Sequence, residues 1–266
     1  MIKIGTSGFQ FEDWIETVYP KDLKKEDMLS YYENNIGFNA LEINFTYYRL
    51  PYQRAMEGMM RKTSCDFEFA VRSYREMTHE IWVDEKRTKI KDNRGIFDKF
   101  LIGLQPMIRE KRLGCVLLQF PYYFVQNDEN SDYILRCKKS LPDLDIVVEF
   151  RHSSWVNDKT FGFLSSNDLG FCIVDEPRMS NLMPTVFKAT SSTGYLRLHG
   201  RSKKWFQASK EERYLYDYSE SELKELVPGI KEIEPKVKSF FIFFNNCSGG
   251  HAVENAKQMK GILPGI

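Results

Sequence analysis

The chain has 266 residues, with 38 Lys and Arg against 37 Asp and Glu, so its formal net charge is +1. That balance excludes a strongly basic nucleic-acid coat and an acidic tail. Hydrophobic residues are 42% and aromatics 14%, including 20 Phe and 14 Tyr, which excludes a disordered chain.

No run approaches the ~20 apolar residues of a membrane helix, so no membrane partner is expected. The start, Met1-Ile2-Lys3-Ile4-Gly5, lacks the basic and apolar stretches of a signal peptide. Five scattered cysteines without a CxxC pair suit a reducing compartment, and a cytoplasmic protein is expected.

In chain order, Ile2–Ser7 reads as a strand, and Lys24–Asn35 as a helix closed by Asn34-Asn35-Ile36-Gly37, residues that tolerate left-handed backbone. Ala40–Asn44, Phe67–Arg72 and Cys115–Phe120 are strands, separated by the helix-period segments Tyr52–Lys62 and Gly95–Glu110. Asn130–Leu141 leads to strand Asp145–Arg151, and Asp158–Asn167 to strand Phe171–Asp175. No clear helix separates the last of these from strand Tyr195–His199. Ser219 and Glu222 form a capping box at the head of helix Glu220–Glu234, before strand Ser239–Asn245 and helix Val253–Leu263. Eight strands alternating with helices over about 250 residues is the arithmetic of a TIM-type (β/α)8 barrel. No G-x-G-x-x-G follows the first strand, which disfavours a doubly wound sheet. No Pro/Gly-rich linker divides residues 1–266, so a single domain is expected.

Strand phase assigns side chains to the interior. If Ile146, Val148 and Phe150 face the helices, Val147, Glu149 and Arg151 face in. The same phase turns Glu42, Asn44, Arg72, Gln119, Tyr195, Arg197 and His199 inward, near the strands' C-terminal ends. Ser7 and Asn245-Asn246 join them where this fold builds its active sites. Interior charges are costly unless paired or solvated. Glu149 with Arg151, Arg197 or Arg72 could form an ion-pair network closing the barrel top. A polar ligand-binding mouth accounts better for the whole ring.

The chain also resembles the domain-of-unknown-function 72 family, called YecE-like, almost end to end. The resemblance rests on Ile4-Gly5-Thr6-Ser7-Gly8-Phe9 with Trp14 and Tyr19-Pro20, and on Leu41 through Pro51. It continues through Thr78-His79, Leu117-Leu118-Gln119-Phe120-Pro121 and Val148-Glu149-Phe150-Arg151-His152 with Trp155. Arg197-Leu198-His199-Gly200 and Phe243-Phe244-Asn245-Asn246 complete it; Phe9 stands where many members carry Trp. The resemblance implies a TIM-type barrel. Its proposed distant similarity to endonuclease IV and sugar-isomerase barrels implies phosphate-ester or nucleic-acid chemistry.

The mouth residues suggest three functions. The first is an enzyme acting on a small phosphorylated or sugar-like substrate, or on a nucleic-acid phosphodiester. Glu42 and Glu149 would be its acid/base pair or metal ligands, and His199 its proton shuttle. Arg72, Arg151, Arg197 and Asn246 would clamp phosphate, and backbone N–H groups at Gly249-Gly250 could hold an anion. Ser7, Asn44, Gln119 and Asn245 add polar contacts, His79 folds over the mouth, and Tyr47, Tyr48 and Trp155 offer ring faces. The second is a nucleic-acid binder using loop 201–218, where Arg201, Lys203, Lys204, Lys210 and Arg213 alternate with aromatics including Trp205. The third is a metal-dependent sugar isomerase or epimerase. Glu42, Glu149, Asp175 and His199 are ligand types for a divalent metal, but no HxH or HExxH spacing occurs.

Overall fold

Eight strands enter one parallel sheet: β1 (Ile2–Thr6), β2 (Ala40–Ile43), β3 (Glu68–Arg72), β4 (Leu113–Gln119), β5 (Ile146–Glu149), β6 (Leu169–Asp175), β7 (Thr193–Leu198) and β8 (Ser239–Phe244). The computed structural model describes residues 1–202, 212 and 214–263. From β2 to β8 each strand pairs with the next in chain order, and β8 pairs with β1, from Ile2 opposite Phe240 to Thr6 opposite Phe244. The seven described α-helices are α1 (Met28–Asn34), α2 (Gln53–Met60), α3 (Arg94–Arg109), α4 (Asp128–Ser140), α5 (Asp158–Ser166), α6 (Glu220–Ile233) and α7 (His251–Ile262). The architecture is the TIM-type (β/α)8 barrel that the alternation predicts. Between β6 and β7 there is no helix. That connection carries Pro177 and Pro184, which lack the amide hydrogen a helix needs, and buries Leu182 and Met183 instead.

Closure between β1 and β2 is made largely by side chains. One bridge, Ser7 to Glu42, joins their ends, with the Gly8 amide donating to the Glu42 carbonyl at 2.9 Å. Below it the Tyr32 hydroxyl of α1 enters the seam, accepts from the Thr6 amide at 2.7 Å and donates to the Ala40 carbonyl at 3.2 Å. Asn39 Oδ1 accepts from the Ile4 amide at 2.9 Å. These contacts satisfy backbone groups that would otherwise be orphaned. Gly5 is required here: a Cβ would stand 2.0 Å from the Ala40 carbonyl oxygen.

The outward set, including Leu41, Phe69, Val71, Leu118, Val148 and Leu196, is buried beneath the helices. Each such side chain contributes about 1.5–3 kcal/mol by leaving water. Inside the barrel, Phe241 and Phe243 stack at 5.9 Å beside Tyr195, and Phe241 reaches across to Gly114, where a Cβ would lie 2.4 Å from its ring. This plug floors the barrel, and the layer toward the strands' C-terminal ends is charged.

Candidate active site

Arg197 of β7 is 2% exposed and spans the barrel. Its Nη1 donates to Glu149 Oε2 at 2.6 Å and its Nη2 to Glu42 Oε1 at 2.8 Å. Tyr195 donates its hydroxyl to Glu42 Oε2 at 2.6 Å. Arg151 Nη1 donates to Glu149 Oε1 at 2.9 Å and lies 3.3 Å from Glu176 Oε2. The ion-pair network weighed from sequence is therefore present, and it forms the floor of an open cavity of about 540 Å³. Ser7, Asn44, Arg72, Gln119, Arg151, Arg197, His199 and Asn245 all line that cavity. Glu42 and Glu149 are fully buried beneath it.

Electrostatics divides these groups. Burial pushes the Glu149 carboxyl up, but Arg197, His199 and Arg151 outweigh it and hold the group well below the usual carboxylate range. An acid that is ionised at neutral pH has no proton to donate, so Glu149 is a counter-ion to Arg197 and Arg151 and not a proton donor. Burial lowers Arg197's pKa, but Glu149 and Glu42 more than reverse this. Burial and the neighbouring Arg151 lower His199 to about 3, leaving the ring neutral at pH 7. Because the Asn245 amide nitrogen can only donate to His199 Nδ1 (2.9 Å), the ring hydrogen sits on Nε2, 3.3 Å from Glu149 Oε1.

Arg72 differs from the other two arginines. It donates through Nη2 to Gln119 Oε1 and lies 4.1 Å over the Tyr47 ring, and its Nε, like that of Arg197, is buried without a partner. Among the described residues no carboxylate forms an ion pair with it. Burial and repulsion by Arg197 push its pKa down.

Several expected residues lie elsewhere. Asp175 points out of the barrel, held by Arg201 Nε at 2.9 Å and Tyr218 Oη at 2.7 Å, so it shares no ligand set with Glu42, Glu149 and His199. Among the described residues no group of three or more His, Cys, Asp or Glu could hold a metal ion. Trp155 is a core residue, stacked 4.2 Å from Phe150, with Nε1 donating to the Phe124 carbonyl at 2.7 Å. Tyr47 and His79 form a layer behind Arg72, their rings 4.9 Å apart, and Tyr48 lines the cavity instead. Asn246 ties the β8 end to Tyr216 and Asn255 (2.7 and 2.8 Å) beside the mouth. The anion position at Gly249 is already filled, because its amide donates to Asp13 Oδ2 at 2.6 Å. Trp205, Lys203, Lys204, Lys210 and Arg213 lie outside the described residues.

Sequence reasoning missed Glu176, Phe11, Glu12, Asp13, Cys247 and Ser248. Glu176 was within reach. Phe171 packs outward on Phe161 of α5, and Cys172 faces Glu149 at 3.9 Å, so period two carries the inward set through Val174 to Glu176. Phe11, Glu12 and Asp13 follow β1 in a loop with no strand phase to read.

A parallel barrel with a polar cavity at the C-terminal ends of its strands defines the chain as a (β/α)8-barrel protein. Residues 3–265 match the model of the family described as "Protein of unknown function DUF72", and the chain belongs to that family. The UPF0759 protein YunF of Bacillus subtilis (strain 168) is 32% identical, with 99% of this chain and 95% of that protein covered. The crystal structure of a DUF72 family protein from Thermotoga maritima MSB8 superposes with a TM-score of 0.91 at 41% identity, covering 98% of each chain. A DUF72 family protein from Enterococcus faecalis V583 gives 0.84 at 26% identity, covering 99% of this chain and 95% of that one.

Proposed function

We propose that the mouth is the active site of an enzyme acting on a small substrate that carries a phosphate or carboxylate group. The observation that carries this reading is Arg72, a cation lining the cavity with a buried, unpartnered Nε and no carboxylate paired to it among the described residues. A desolvated guanidinium without a counter-ion is unfavourable, and an anionic ligand supplies one. The cavity volume of about 540 Å³ suits a molecule of monosaccharide or nucleotide size. His199 is neutral at pH 7. A substrate that takes over the Asn245 amide frees Nδ1 to accept a proton, and ionised Glu149 then stabilises the imidazolium. Glu42 and Glu149 also fix the Arg197 guanidinium, so that it meets the substrate already oriented.

Calorimetric titration of inorganic phosphate, sugar phosphates and sugar acids into wild type and Arg72→Met tests this. At least one anion is expected to bind, with affinity falling about tenfold or more in the variant, the loss typical of one charge-assisted bond. Equal affinity in two equally stable proteins would remove Arg72 from the role.

A further inference from the structure

The mouth is electrically two-sided. Its cationic side is carried by Arg72, at the end of β3, and Arg151, just beyond the end of β5, with the neutral Gln119 between them. The loop after β1, which lies across the ring from β5, presents Glu12 and Asp13 to the same cavity. Both carboxylate residues are exposed, and among the described residues neither has a salt-bridge partner. Asp13 spends one oxygen on the Gly249 amide, while Glu12 has no such contact. Between the poles stand two buried oxygens without hydrogen-bond partners, Ser7 Oγ and Asn44 Oδ1, and Ser7 is only 2% exposed.

A simple anion answers half of this arrangement. It would pair with Arg72 and could accept from the Ser7 hydroxyl, but it would leave Asn44 Oδ1 without a donor and be repelled by the carboxylates opposite. A ligand with an anionic group at one end and an ammonium group at the other answers all of it. Its N–H donors reach Ser7 Oγ and Asn44 Oδ1, and its positive charge faces Glu12. Alignment of opposite charges at both ends also fixes which way round the molecule enters. We infer that the substrate is dipolar, an amine-bearing phosphate or carboxylate, and that Glu12 recognises its cationic end. This inference rests on the anion site at Arg72 and specifies what lies at the other end of the ligand.

The test uses ω-aminoalkyl phosphates and ω-amino carboxylates of graded chain length, each compared with its partner lacking the amine. The graded length removes any assumption about the distance between the poles, and the two series distinguish phosphate from carboxylate. At the best length the amine compound is expected to bind about tenfold tighter than its partner. Glu12→Gln should erase that preference, and Glu12→Lys should reverse it in favour of the compound without the amine. Glu12 is exposed, so both variants are expected to fold, and their melting curves check this. The same substitution at Glu129, an exposed residue of α4, is the control and should leave the preference intact. Equal binding of amine and amine-free compounds at every length, with both weakened by Arg72→Met, would overturn the dipolar reading and leave the anion site standing. Failure of every anion to bind would remove the anion site and this inference with it.

Discussion

Arg197 on β7 and His199, just beyond its end, stand two residues apart, and Glu149 acts on both. For His199, burial and Arg151 win over Glu149, and the folded pKa drops from 6.5 to about 3. His79 behaves alike: burial comes first, Arg72 second, and its value also falls to about 3. The sign of the pH effect follows. Between about pH 6.5 and 3 the unfolded chain binds protons at these rings that the folded chain refuses. Stability contributed by neutral rings is thus complete above that window and declines as the pH falls through it. Glu149, held ionised, adds a decline in the same direction only at the acid end. Denaturant unfolding from pH 7 downward should show falling stability. His199→Gln should reduce the slope by about one proton, roughly 1.4 kcal/mol per pH unit. An unchanged slope would mean that His199 is protonated in the folded protein.

At the scale of single elements, local signals worked where the local chemistry was complete. The capping box is present: Ser219 Oγ accepts from the Glu222 amide at 3.3 Å, and Glu222 Oε2 accepts from the Ser219 amide at 2.9 Å. Ser219→Ala should cost about 0.5–2 kcal/mol, measured by thermal or urea unfolding. A cost near zero would show that packing of Leu223 and Leu226 alone sets the start of α6. Strand phase served equally well for Glu42, Arg72, Gln119, Glu149 and Arg197, whose neighbours alternate cleanly. At β6 the side-chain chemistry of Asp175 misleads, because its phase points outward. Glu176, one residue further, is the inward carboxylate, and it holds Arg151.

Over the whole molecule, the β1–β2 seam is the place where backbone pairing is thinnest. Eight strands close into a ring, yet here one bridge and the Tyr32 hydroxyl substitute for a ladder. Tyr32→Phe removes that hydroxyl while keeping the ring against Phe38 and Phe67. The Thr6 amide and the Ala40 carbonyl then lose their partner in a buried setting, which should cost about 1–3 kcal/mol. Hydrogen exchange at Thr6 should rise more than exchange in the β7–β8 ladder. Uniform protection in the variant would show that water or a backbone shift reseals the gap. Because Ser7 and Glu42 cap this seam, loosening it should also weaken ligand binding at the mouth.

The alternation of strand and helix patterns by itself determined the number of strands and their parallel order, and period two gave most of the interior set, because polar side chains inside alternate with apolar ones beneath the helices near the C-terminal ends of most strands. It also brought Arg72, Arg151, Arg197 and His199 to one end, since strand ends are fixed by the same count. What only the tertiary structure decided is which of those charges cancel. Glu42 and Glu149 are consumed by Arg197, whereas Arg72 has no carboxylate paired to it among the described residues, and pairing across the ring depends on distances between strands far apart in the chain. The acidic pole at Glu12 and Asp13 was likewise invisible, because a loop carries no periodicity and its place over the mouth is set by contacts such as that of Asp13 with Gly249.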